Sequence, residues 1–123
     1  MVSYDTKCIG KGSDVMDPNN MNISDVINVI SHLDDEHLQI SDYYKTQDFL
    51  MFNNITHEEA KEEVRNLKEC DLTEGPLPDV NKNRNYPVWI FEKEMFGTRC
   101  YIKIKIINKG KVAIIISLHE DER

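Results

Sequence analysis

The chain has 123 residues, enough for one ordinary domain and too few for two. It is 40% apolar and 30% charged, with 5 glycines and 4 prolines, which excludes collagen-like, mucin-like and wholly disordered classes. No apolar run approaches the roughly 18 residues that a bilayer span needs. Met1 to Gly12 is polar where a signal peptide would be apolar, so a cytoplasmic protein with no membrane partner is expected.

Cysteine and histidine use narrows the chemistry. Cys8, Cys70 and Cys100 are odd in number, widely spaced and without a Cys-x-x-Cys, against a disulfide framework or a zinc ribbon. His32 and His37 are five apart, which is not a helical ligand spacing, so neither a metal nor another cofactor is expected. The net charge of −7 is unevenly spread. Residues 1–80 hold 17 acidic and 6 basic side chains, a net of −11, whereas residues 81–118 hold 2 acidic and 8 basic, a net of +6. An acidic protein repels nucleic acid overall, yet this last third offers local attraction for phosphates. A lysine-rich strand with a plain solvated face fits the same numbers.

In chain order, residues 1–22 mix Gly, Ser, Asp, Asn and Pro and read as a loose arm before a single domain over residues 23–123. A helix is expected from Ser24 as N-cap, with Val26, Ile30 and Leu33 at helical spacing and Asp34-Asp35-Glu36 marking its exit. Phe49-Leu50-Met51-Phe52 forms a short apolar segment, either a brief helix capped by Thr46 or a strand. Thr56 with Glu59 makes a capping box, Ile55 and Ala60 a hydrophobic staple, and Ala60, Val64 and Leu67 an apolar stripe. That spacing predicts a helix ending near Cys70. The prolines of Gly75-Pro76-Leu77-Pro78 argue against regular structure, and the polar run Asn81 to Asn85 extends the loop.

The period then changes. Val88 to Phe91 is β-branched and aromatic, Gly97-Thr98 supplies a turn, and Arg99 to Ile107 alternates. Lys109-Gly110 signals a hairpin, and Val112 to Leu118 is apolar on both faces. The expected class is α+β: two or three N-terminal helices packed on a C-terminal antiparallel sheet of at least three strands. Trp89 beside Phe91 reads as core or a partner-binding anchor rather than a base-stacking platform.

The alternation places Arg99, Tyr101, Lys103 and Lys105 on one face, about 6–7 Å apart. Ser117 and His119 share that face in one of the possible hairpin registers. Such a face can cleave RNA through its 2′-hydroxyl, which requires a base, an acid and fixed positive charge. His119 is the first candidate for proton transfer because imidazole titrates near neutrality. Tyr101 joins it, with the neighbouring lysines expected to depress its pKa. Arg99 and Lys105, with Lys82 and Arg84 in the polar run, are the candidate RNA contacts. No Gly-x-Gly-x-x-Gly, Walker loop or nucleophile elbow occurs.

The stretch Val88-Trp89-Ile90-Phe91-Glu92-Lys93-Glu94-Met95-Phe96-Gly97-Thr98-Arg99-Cys100-Tyr101-Ile102-Lys103-Ile104-Lys105 resembles the hairpin of MqsR-like toxins of type II toxin–antitoxin systems. Ile116-Ser117-Leu118-His119-Glu120 resembles their closing strand, Ile55 to Leu67 their middle helix, and Gly75-Pro76-Leu77-Pro78-Asp79 their Gly-Pro loop. The likeness spans roughly Ser24 to Glu122. It implies a RelE-like fold, metal-independent cleavage of messenger RNA, and silencing by a cognate antitoxin protein. Matched position by position, it implies a site of Lys93, Tyr101, Lys103 and His119. One departure stands out: before the Gly-Pro loop the family usually has an aromatic residue and a lysine, where this chain has Thr73 and Glu74. The rival expectation is therefore a non-catalytic acidic binding protein. Such a protein would mimic nucleic acid, as small phage-encoded inhibitors do, and block a basic nucleic-acid-binding enzyme.

Overall fold

A computed structural model describes residues 21–78 and 86–122. The protein is α+β. Three helices precede most of a five-stranded mixed sheet: α1 (Ile23–His32), β1 (Leu38–Ile40), α2 (Tyr44–Phe52), α3 (His57–Arg65), β2 (Leu72–Leu77), β3 (Val88–Met95), β4 (Thr98–Ile107) and β5 (Val112–Glu120). The strand order is β1-β5-β4-β3-β2, with β1 parallel to β5 and every other pairing antiparallel. Among the described residues no helix is long and apolar enough to cross a membrane.

The helices form where apolar spacing and caps agree. Helix α1 is capped two residues earlier than the expected Ser24. Asn22 is its N-cap, accepting the Asp25 N–H at 2.9 Å, while the Asp25 carboxylate accepts the Asn22 N–H at 3.2 Å. The loose-arm expectation for residues 1–22 falls outside the described residues except at Met21, which is buried, and at this cap. Helix α3 carries the expected reciprocal box between Thr56 and Glu59. It stops at Arg65 rather than Cys70, because the Asn66 and Leu67 N–H groups fold back onto the carbonyls of its last turn. The apolar segment at Phe49 resolves as helix. Helix α2 opens at Tyr44 without a side-chain cap, and Thr46 lies inside its first turn.

All three helices cover one sheet face. Val26, Ile30, Leu50, Ala60 and Val64 meet Trp89, Phe91, Ile102, Ile104, Ile115 and Leu118 in a single apolar cluster. Trp89, 2% exposed, is a core residue. The carboxylates on the outside of α3 are partly paired: Glu62 with Arg65, which also meets Asp35 from the turn before β1, and Glu63 with Lys93.

Two strands escape the sequence reading. Leu38–Ile40 is only three residues long, below the length at which alternation can register, and pairing with the edge of β5 alone makes it a strand. The Gly-Pro segment, expected as loop, is strand β2. It runs along the edge beside β3, where Pro76 loses no ladder bond the fold requires, and its register shifts on both sides of Glu74. Gly75 (φ +136°) approaches Trp89 so closely that a Cβ would lie 3.1 Å from the Trp89 Cα.

Both hairpin turns use left-handed backbone. Phe96 (φ 57°) and Gly97 (φ 80°) form the two-residue turn between β3 and β4. Asn108, Lys109 and Gly110 all have positive φ between β4 and β5. Along that second hairpin, Lys103 faces Ser117 but Ile104 faces Ile115, so Ile116 is an extra residue bulged out of β5.

The buried helix–sheet seam gives one stability prediction. Thr46 is fully buried and its hydroxyl accepts the Leu118 N–H at 2.9 Å, tying α2 to β5. Thr46→Val keeps the shape and strands that N–H. Chemical denaturation should show a loss of about 1–3 kcal/mol, and Thr46→Ser should recover most of it.

Candidate functional site

The bulge at Ile116 decides what the open sheet face contains. With one residue extra, Leu118 falls opposite Ile102 on the helix side, whereas Ser117 and His119 fall opposite Lys103 and Tyr101 on the open side. The phenol of Tyr101 and the imidazole of His119 stack at a centroid distance of 5.2 Å with planes 15° apart. Tyr43 meets the same imidazole edge-on at 6.3 Å. Together with Lys103, Lys45, Ser117, Asp121 and Glu122, these side chains line an open cavity of about 370 Å³.

The His119 Nδ1 lies 2.9 Å from the Glu120 carbonyl oxygen. A carbonyl can only accept, so that bond places the proton on Nδ1 and leaves the Nε2 lone pair available. Tyr101 differs from expectation. Its pKa is raised rather than depressed, chiefly by partial burial and then by the nearby Glu74 and Tyr43. Low dielectric and a carboxylate outweigh the adjacent lysines, so the phenol keeps its proton at neutral pH. Glu74 stands on β2 in the same cross-strand row as Ile90, Lys103 and Ser117.

The other expected site residues divide. Lys93 is opposite Cys100 in the β3–β4 register, on the helix side of the sheet, with its ammonium 3.8 Å from Glu63 and 3.5 Å from the Asn66 carbonyl. The implied grouping of Lys93 with Tyr101, Lys103 and His119 is thereby corrected: odd and even positions of β3 point to opposite faces, and Lys93 takes the face of Phe91. Arg99 lies on the open face beyond Tyr101, half-exposed and 3.6 Å from the Glu92 carboxylate. Lys105 is on the same face two residues past Lys103, but it is 8% exposed. Lys82 and Arg84 lie outside the described residues.

Tyr43, Lys45, Asp121 and Glu122 were not foreseen. Lys45 reaches Glu122 at 3.2 Å across the cavity rim. Their placement follows from β1. The Ser41 N–H donates to the Ile115 carbonyl and its hydroxyl to that of Ile116, so the chain leaves the sheet beside the bulge and starts α2 over His119. A three-residue strand carries no periodic signal from which this could be read.

Comparison with protein-family models, curated proteins and solved structures finds no match to this chain. The chemistry therefore rests on the residues themselves. Away from the cavity, ligand atoms of Asp34, Glu36 and His37 come within 4.8 Å of one another in the exposed turn before β1. There the His37 Nδ1 is 2.7 Å from Asp34, an ion pair that raises the His37 pKa and lowers that of Asp34, chiefly through their side-chain hydrogen bond.

Cys100 supplies a pH prediction independent of the cavity. It is buried on the helix side of β4, and burial pushes its thiol from 9.0 up to about 11. A thiol pKa raised on folding leaves stability intact below pH 9 and removes it as pH climbs through the folded value. Unfolding midpoints should therefore fall between about pH 9 and 11, and fall less steeply in Cys100→Ala, which isolates the thiol from the tyrosines titrating nearby.

Proposed function

We propose that this protein is an MqsR-like, metal-independent endoribonuclease that cleaves single-stranded RNA on the open face of its sheet and is silenced by an antitoxin partner. The observation that carries the reading is the Tyr101–His119 stack with Lys103 and Ser117 beside it in one cavity. The roles follow from protonation. The Nε2 of His119 takes the proton of a 2′-hydroxyl, and O2′ attacks the adjacent phosphorus. The P–O5′ bond breaks, and the Tyr101 phenol, held protonated, delivers its proton to the departing O5′. Lys103, with Lys45 opposite, faces the negative charge that builds on the phosphoryl oxygens. The products are a 2′,3′-cyclic phosphate and a free 5′-hydroxyl.

Lys45 bears on the departure at Glu74. The family's usual lysine is missing there, but a second cation reaches the cavity from α2. The acidic-mimic alternative draws less support, because Asp34, Asp35, Glu62 and Glu63 engage His37, Arg65 or Lys93 within the chain. Incubation of the purified chain with RNA in excess chelator tests the reading. Fragments ending in 2′,3′-cyclic phosphate are expected. Intact RNA, together with retained binding to a basic nuclease that is lost on charge reversal of the α3 carboxylates, would establish the alternative.

A further inference from the structure

A second cavity, of about 430 Å³, opens on the same sheet face. Its lining crosses β1, β5 and β4 in one band and ends at Tyr86, just ahead of β3. Gln39 pairs with Ile114, Ile114 with Lys105, and Lys105 with Val88, two residues after Tyr86. The band is the next row of the sheet from Lys103 and Ser117, so the two cavities are separated by about 6–7 Å of strand. Their chemistry differs. The first is ringed by Asp121 and Glu122 as well as cations. The second combines the flat apolar floor of Ile107 and Ile114 with the Tyr86 ring, the carboxamides of Gln39 and Asn108, and the Lys105 ammonium.

That combination suits a nucleobase. An aromatic ring and an aliphatic floor accept a flat heterocycle irrespective of its identity. Carboxamides donate and accept together, as the edges of bases do. A cation beside them answers the phosphate joining this nucleotide to its neighbour. The Asn108 backbone is held left-handed (φ 54°) in the turn, which fixes where its side chain starts.

We infer that this cavity seats the base of a nucleotide flanking the scissile linkage of single-stranded RNA, stacked on Tyr86 and read at its edge by Gln39 and Asn108. The inference rests on the endoribonuclease reading and adds to it the origin of sequence preference. Lys105 is then a binding residue rather than a catalytic one, positioned to hold the flanking phosphate.

A 2′-O-methyl tetranucleotide, which binds but lacks the attacking hydroxyl, separates the two. In NMR titrations of the intact protein, the side-chain amide signals of Gln39 and Asn108 should shift on binding. Affinity should fall roughly tenfold in Tyr86→Ala. With a cleavable library of randomised sequence, Gln39→Ala should relax base preference at one flanking position by slowing cleavage of the best substrate about tenfold while sparing sequences with other bases there. Unshifted amides with undiminished binding by Tyr86→Ala would overturn the inference even if the protein cuts RNA. Shifted amides in a protein that leaves cleavable RNA intact would sustain the base site and refute the catalytic reading.

Discussion

His119→Ala is expected to slow RNA cleavage by about 10²–10⁴-fold, the range typical of losing a positioned acid or base. The change should spare the fold, because the imidazole is only half-buried and packs on the outer side of the sheet against Tyr101 and Tyr43. Tyr101→Phe keeps the stacked ring and removes only the transferable proton, so it should cost a comparable factor. The two losses should combine less than multiplicatively, since base and acid serve one concerted displacement. The pH profile separates the roles. With the Tyr101 pKa raised above its ordinary value of 10.0, wild-type cleavage should persist through mildly alkaline conditions and decline only as the phenol ionises. In Tyr101→Phe that alkaline decline should vanish along with most of the rate. Initial-rate measurements on one labelled RNA across pH suffice, and full activity in either variant removes the assigned mechanism.

Inserting an alanine after Ile116 should be the most damaging change on the open face. Ile115 faces Ile104 and Ser117 faces Lys103, so one extra residue now lies between them as a bulge. With two extra residues the alternation closes into a continuous ladder. Leu118 stays on the helix side, but Ser117 moves opposite Tyr101 and His119 moves opposite Arg99. The Tyr101–His119 stack is then broken, and cleavage should fall by about 10²–10⁴-fold, as in His119→Ala. Deleting Ile116 should do the reverse. It removes the bulge and leaves Ser117 and His119 outside and Leu118 buried, at a cost of about 1–2 kcal/mol for the lost Ser41 hydroxyl bond, with cleavage retained. Ile116→Val preserves the residue count and should stay within about 1.5 kcal/mol of wild type with its activity intact. Denaturation curves and cleavage assays on the three variants distinguish residue count from side-chain identity. A fully active insertion, or a folded but inactive deletion, would show that the pairing of His119 with Tyr101 is not the site.

The hairpin illustrates how far alternation reaches. Ile102, Ile104 and Ile106 in β4 can only be buried together, which puts Tyr101, Lys103 and Lys105 opposite them, as observed. The capping box at Thr56 is equally local and appears where expected. In β5 the same reasoning halts, because Val112 to Leu118 is apolar on both faces and no alternation identifies the extra residue. Which carbonyls Ser41 caps, and where β4 ends its pairing, select Ile116 as the bulge.

Electrostatics fails at the same boundary. Sequence neighbours suggest that lysines depress the Tyr101 pKa. In the fold, burial and a carboxylate from a strand nearly thirty residues away raise it instead. Lys93 shows the complementary error. Similarity of motif grouped it with the cavity, yet strand pleating sends it to the helices and Glu63.

Local order was therefore written in the chain itself: the α+β class, the capped helix α3, the alternating strand and the cationic balance of its last third. These depend on neighbours within a few residues. Tertiary pairing alone decided that Leu38–Ile40 is a strand, that Lys45 and Tyr43 reach His119, and that a bulge turns His119 outward. Each of those outcomes depends on hydrogen bonds and burial between segments distant in the chain, whose free energy no short window of residues contains.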